Sequence, residues 1–141
     1  GPEGESLELF VEAVLFRRAV GALTMARKAG AYVSGFEKVR AALSGRDKNE
    51  GGSTGDTVLL CASDAGEDGR DKIARLADRV GGVARVDIFD AAELGAASGR
   101  EHTVHAVVLP GGAAQHVLET VRAYTAYRGD LAPAADIDLM D

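Results

Sequence analysis

The chain has 141 residues, enough for one self-sufficient core and too few for two ordinary domains. Apolar residues make up 46% and charged residues 27%, and no apolar run approaches the ~18 residues of a membrane span, so a globular chain with no membrane partner is expected. The lone cysteine, Cys61, excludes an internal disulfide and suits a reducing, cytoplasmic setting, while the net charge of −6 argues at first sight against a nucleic-acid binder.

Dividing the charge along the chain changes that picture. Residues 1–16 hold Glu3, Glu5, Glu8 and Glu12 without a single Lys or Arg. Residues 129–141 hold Asp130, Asp136, Asp138 and Asp141, again with no cation. Between them sixteen basic residues face fourteen acidic ones, and over residues 17–48 eight face two, a local +6. Clustered charge governs polyanion binding more than the overall pI does. The expected organisation is an acidic lead-in and helix start over 1–16, one domain over 17–128, and an acidic flexible tail over 129–141. Gly1-Pro2, without an initiator Met, reads as an expression remnant on a fragment of a longer chain.

In chain order, Ser6 is expected to cap a long helix through Ala29, with Phe10, Val14, Leu15 and Leu23 at helical spacing and Gly30 as its stop. Tyr32-Val33 is a short extended piece. Ser34-Gly35-Phe36-Glu37 has the form of a capping box for a helix to about Leu43. The polar, Gly-rich residues 44–56 read as a mobile loop, and no Gly-Lys-Ser/Thr follows to make it a phosphate loop. "TVLLCA" (57–62) is a nearly continuous apolar run, as in a strand covered on both faces. Asp64 and Glu67 suggest a second capping box, before a helix with Ile73, Leu76, Ala77 and Val80 on one face and Gly81-Gly82 as its end. "VARVDIF" (83–89) alternates as a strand, Asp90 and Glu93 form a third capping box, and that helix stops at Gly99. "TVHAVVL" (103–109) is a further strand, and a last helix after Gly111-Gly112 turns Val117, Leu118, Val121 and Tyr124 inward. The alternation predicts an α/β fold: a three-layer α/β/α sandwich around a small mixed four-stranded sheet.

Enzyme chemistry is thin. Cys61 lies in the most apolar strand, where a small buried thiol is expected rather than a nucleophile. His102, His105 and His116 lack metal-ligand spacing, and His102 and His105, three apart on one strand, would face opposite sides. The acidic pairs read as helix caps rather than as acid–base couples. No nucleophile with its base, no cofactor and no metal site is expected. Gly35, by contrast, suits an anion: without a Cβ the backbone can come close to a phosphate, and helix-terminal N–H groups bind it. Arg27, Lys28, Lys38 and Arg40 are the candidate phosphate contacts around it.

Three blocks, "ARKAGAYVSGFEKVRAAL" (26–43), "TVLLCASDAG" (57–66) and "AAELGAASGREHTVHAVVLPGG" (91–112), resemble the kink-turn-binding ribosomal-protein family. That family includes archaeal large-subunit kink-turn proteins, their eukaryotic ribosomal and spliceosomal relatives, and bacterial YlxQ-like proteins. Order and spacing match over roughly 19–125, apart from a longer 44–56 loop, and the run Glu93-Leu94-Gly95-x-Ala97-x-Gly99 before an apolar strand is the most specific part. The chain is most similar to alphaproteobacterial members in which this domain follows a YlxR-type domain. The resemblance implies non-catalytic binding of structured RNA, in translation or transcription termination. It places the RNA surface at Gly35, Phe36, Glu37 and Lys38, at Ser63 and Asp64, and at Arg100, Glu101 and His102. Archaeal and eukaryotic members typically carry Asn at the position of Glu37, Lys at that of Ala41, and an apolar tip where this chain has Arg100-Glu101-His102. A carboxylate only accepts hydrogen bonds, whereas Arg and His planes can stack on unpaired bases, so recognition of kinked or looped RNA in general is expected. The alternative expectation is a protein-interaction module on the same fold, docking translation or transcription factors.

Overall fold

The computed structural model describes residues 2–48 and 55–131. In order they form α1 (Pro2–Lys28), β1 (Tyr32–Ser34), α2 (Phe36–Lys48), β2 (Thr57–Cys61), α3 (Glu67–Val80), β3 (Val83–Val86), α4 (Ala91–Ser98), β4 (His105–Val108) and α5 (Gly112–Leu131). The strands make one mixed sheet in the order β1-β4-β2-β3. β4 runs antiparallel to both neighbours, with Ser34 opposite Ala106 and Cys61 opposite His105, while β2 and β3 are parallel, with Leu60 opposite Val86. β1, β2 and β3 therefore point one way and β4 the other.

Period-two alternation along the two central strands builds the layers. Val58, Leu60, Ala106 and Val108 face a core shared with Ala19, Ala22, Leu23 and Ala26 of α1, Leu94 of α4 and Val117 of α5. Leu59, Cys61 and Val107 face the other way, onto Val39 and Leu43 of α2 and Ile73 and Ala77 of α3. All five residues of β2 are buried, so the continuous apolar run is a strand covered on both faces, as expected. The fold is thus an α/β/α sandwich with α1, α4 and α5 on one side and α2 and α3 on the other. Alanines on α1 let the helices approach closely, and Phe16 closes that core with ring contacts to Phe89 at 5.6 Å and Tyr124 at 5.2 Å. Val117, Leu118, Val121 and Tyr124 turn inward as their spacing predicts.

Several local expectations are corrected. Ser6 does not cap α1; the helix already runs from Pro2 and ends at Lys28, before the positive-φ Gly30. α2 starts on the Gly35 carbonyl, which accepts from Val39 N–H at 2.9 Å, so Gly35 is the cap and the Ser34–Glu37 box is out of register. Residues 44–48 continue α2 rather than opening a loop, and the rest of the Gly-rich stretch, 49–54, lies outside the described residues. α3 starts after Gly66 without a side-chain cap, because Asp64 binds elsewhere. β3 and β4 are shorter than drawn from sequence, and His102 precedes β4 instead of sharing it with His105. α5 continues to Leu131, and the remaining tail residues, 132–141, lie outside the described residues. The third capping box is present in full: Glu93 N–H donates to Asp90 Oδ1 and Asp90 N–H to Glu93 Oε1, both at 2.8 Å.

Leu60 is fully buried at the centre of the larger core. Leu60→Ala is expected to lower unfolding free energy by about 3 kcal/mol in urea titration. A loss below about 1 kcal/mol would contradict the central placement of β2.

Candidate nucleic-acid interface

Because β1, β2 and β3 share one direction, the segments leaving them emerge at the same end of the sheet as the segment entering β4. At that end lies the tight β1–α2 turn. Gly35 has φ +98°, a conformation that side-chain-bearing residues rarely adopt, and its N–H donates to His105 O at 3.1 Å. The turn therefore leaves β1 hydrogen-bonded to β4 and enters α2 directly. The N–H groups of Phe36, Glu37 and Lys38 form the first turn and have no acceptor within the helix, so the positive end of α2 opens here. Glu37 and Lys38 are exposed, whereas Phe36 turns beneath the turn, its ring 6.1 Å from the buried His105 and nearly perpendicular to it.

The α4–β4 loop reaches the same place. It is laid directly on α4: a Cβ at Gly95 would come 2.6 Å from His102 N and 2.8 Å from Glu101 C. Arg100 N–H donates to Gly95 O at 2.8 Å, Thr103 N–H to Ala91 O at 3.0 Å, and the Ser98 and Thr103 hydroxyls meet at 2.8 Å. Held this way, the loop projects Arg100 over the β1–α2 turn, where its Nη1 lies 4.0 Å from the point a Cβ of Gly35 would occupy. Arg27 arrives from α1: its guanidinium covers Gly99, which has φ +73°, so closely that a Cβ there would meet Nη2 at 2.5 Å. Arg27 thus covers the start of the α4–β4 loop and Arg100 the β1–α2 turn, and a cation at the C-terminal end of α4 is also favoured by the helix dipole. Arg27, Arg100, Glu101 and His102 are all exposed.

The expected site residues therefore divide. Gly35, Glu37, Lys38, Arg27, Arg100, Glu101 and His102 belong to one edge, with Phe36 as its floor. Lys28 is exposed on the last turn of α1, about 100° around the helix from Arg27. Ser63 and Asp64 hold the fold together: Ser63 N–H donates to Phe89 O at 2.9 Å, and Asp64 Oδ1 accepts from Ala91 N–H at 2.9 Å, capping α4 from the β2–α3 segment. Arg40 lines a separate groove between α2 and α3. Sequence reasoning missed Tyr32, whose hydroxyl donates to Leu94 O at 3.0 Å and pins the edge strand to α4. Its one signal was an aromatic with a polar tip in a three-residue strand. Gly95 and Gly99 stood in the motif, but their spatial duty could not be read from spacing. Among the described residues no group of three or more His, Cys, Asp or Glu side chains is placed to hold a metal ion, and no helix is long and apolar enough to cross a membrane.

No family model and no curated protein matches the chain. A solved structure described as a protein with unknown function from Bacillus halodurans C is similar to it, with a TM-score of 0.62 and 19% identity over 74% of this chain and 96% of that one. At that identity the likeness concerns the fold alone, and it agrees with the α/β sandwich.

Gly95→Ala is expected to destabilise the protein by about 2 kcal/mol, because the obstructing atoms are backbone and cannot swing aside. A loss under about 0.5 kcal/mol in denaturant titration would show that the loop does not rest on α4. Burial pushes the Tyr32 phenol above its ordinary value of 10.0, outweighing the opposing hydrogen bond with Ser98. The native state then holds this proton more tightly than the unfolded chain. The stabilisation is complete below pH 10 and is lost as pH rises beyond it. Tyr32→Phe should cost about 1 kcal/mol at neutral pH, and the gap to wild type should close on the alkaline side. A gap that stays constant through that range would contradict the burial.

Proposed function

We propose that this domain binds structured RNA, kinked or looped, without catalysis, at the edge where the β1–α2 turn meets the α4–β4 loop. The observation that carries the reading is the placement of the Arg100 guanidinium over the Gly35 turn and the open N-terminus of α2. A phosphate seated there accepts from the first-turn N–H groups and is neutralised by Arg100, with Arg27 and Lys38 tracking the neighbouring backbone. The exposed His102 ring and the Arg100 plane offer stacking surfaces for bases splayed out of a helix, and Glu37 can accept from a guanine N–H. The resemblance of residues 19–125 to the kink-turn-binding family supports the same reading, and Arg27 and Lys38 are the cations of the basic stretch 17–48 that stand at this edge. Ribosomal or other translation-linked RNA, or a transcript at termination, is the expected ligand class. The buried Cys61 thiol fits a cytoplasmic setting.

Titration of a kink-turn RNA and a plain duplex at two salt concentrations tests this. The kinked RNA should bind more tightly, and Lys38→Glu with Arg100→Glu should weaken binding about a hundredfold at unchanged unfolding midpoint. Arg100→Ala alone should lower the salt slope by about one. Equal absence of binding to both RNAs, or reversal of both charges without effect, would overturn the proposal.

A further inference from the structure

Along α1 the residues Leu7, Phe10, Val14 and Arg17 follow one another at spacings of three, four and three, which puts them on one side of the helix. That side is distinct from the one that Ala19, Ala22, Leu23 and Ala26 turn into the core. Leu7 and Phe10 are 63% and 66% exposed, Val14 is half-buried, and Arg17 is exposed. An apolar stripe that ends in a cation therefore lies open on the outside of the molecule. The segment that fits it carries apolar side chains first and a carboxylate after them.

The chain itself supplies such a segment, and at the start of the stripe. Leu15 and Arg18 of α1 line one cavity with His116 and Ala123 of α5, and the Tyr127 hydroxyl donates to Glu8 O at 3.3 Å. The two helices are therefore antiparallel, and α5 ends at Leu131 beside the first turns of α1. Residues 132–141, "APAADIDLMD", come next. An extended chain puts Ile137, Leu139 and Asp141 on one side and Asp136 and Asp138 on the other. From Ile137 to Asp141 it covers about 13 Å, against about 15 Å along the helix from Leu7 to Arg17. The five residues before Ile137 span up to about 17 Å, enough to cross a helix about 10–12 Å wide. Tethering holds this segment at an effective concentration in the millimolar range, which a separate partner would have to match. We propose that residues 137–141 fold back along α1, with Ile137 and Leu139 covering Leu7, Phe10 and Val14 and the Asp141 carboxylate paired with Arg17.

Nitrogen-15 relaxation of the isotope-labelled full chain tests this. In the wild type the amide order parameters of residues 137–140 should be about 0.85, the value of rigid backbone, and should not change on dilution by about tenfold. Leu7→Gln with Phe10→Gln, which keeps strong helix formers in α1, should lower them below about 0.6. Arg17→Glu should lower them too, and adding Asp141→Lys to it should restore them. These positions lie off the proposed RNA edge, so failure here leaves that reading standing. Wild-type order parameters below about 0.6 over residues 137–140 would overturn the proposal. So would a tail that stays ordered beside Leu7→Gln and Phe10→Gln, a charge exchange without recovery, or order that is lost on dilution, which would place the tail on another copy.

Discussion

The loop before β4 lies where a side chain of Gly95 would have to be. With backbone atoms of Glu101 and His102 less than 3 Å from that missing Cβ, α4 and the loop form one unit. Two backbone hydrogen bonds and the Ser98–Thr103 hydroxyl pair close that unit from both ends. The position of Arg100 relative to the β1–α2 turn follows from this contact more than from any property of Arg100 itself. A long, exposed, flexible side chain acquires a definite place only because its Cα is fixed.

The sheet topology makes that place useful. β4 lies between β1 and β2 and runs against both, so the segment entering it emerges beside those leaving the other strands. Ligands of α/β sheets gather at this end, outside the carboxyl ends of parallel strands, because helix N-termini open there. In this chain the acidic caps Asp64, Asp90 and Glu93 occupy the start of α4, whereas the start of α2 opens beside Arg100. Three carboxylates thus serve the fold at α4, while Arg27, Lys38 and Arg100 stand with Glu37 and Glu101 on the exposed edge.

The layers were legible because burial imposes a period. β2 reads as a continuous apolar run, α5 carries an inward stripe, and Asp90 with Glu93 marks a helix start that the structure keeps atom for atom. Of the α1 stripe Phe10, Val14, Leu15 and Leu23 only Leu23 is buried; Phe10 is 66% exposed, and the buried face is made by Ala19, Ala22, Leu23 and Ala26 instead. What could not be read is any pairing across elements. The residues of the Ser34–Glu37 box fit the pattern, yet the helix begins one residue later, because the turn out of β1 needs the positive φ that Gly35 alone supplies. Asp64 fits a local cap three residues ahead of Glu67, yet its carboxylate reaches Ala91, distant in sequence and adjacent in space. Arg40 sits among the basic residues of the N-terminal third, but the side of α2 it occupies belongs to the groove with α3. Composition and spacing carry local geometry; they do not say which long-range neighbour will claim a side chain.

Nucleic acid, on the proposed reading, meets one end of the sandwich and not its helical faces. Amide NMR spectra of the isotope-labelled protein, recorded while structured RNA is added, test this residue by residue. Signals of Gly35, Glu37, Lys38 and residues 99–102 should shift together and saturably, while those of the exposed residues of α3 and α5 stay in place. Shifts confined to the α2–α3 groove, or spread evenly over the surface, would contradict it.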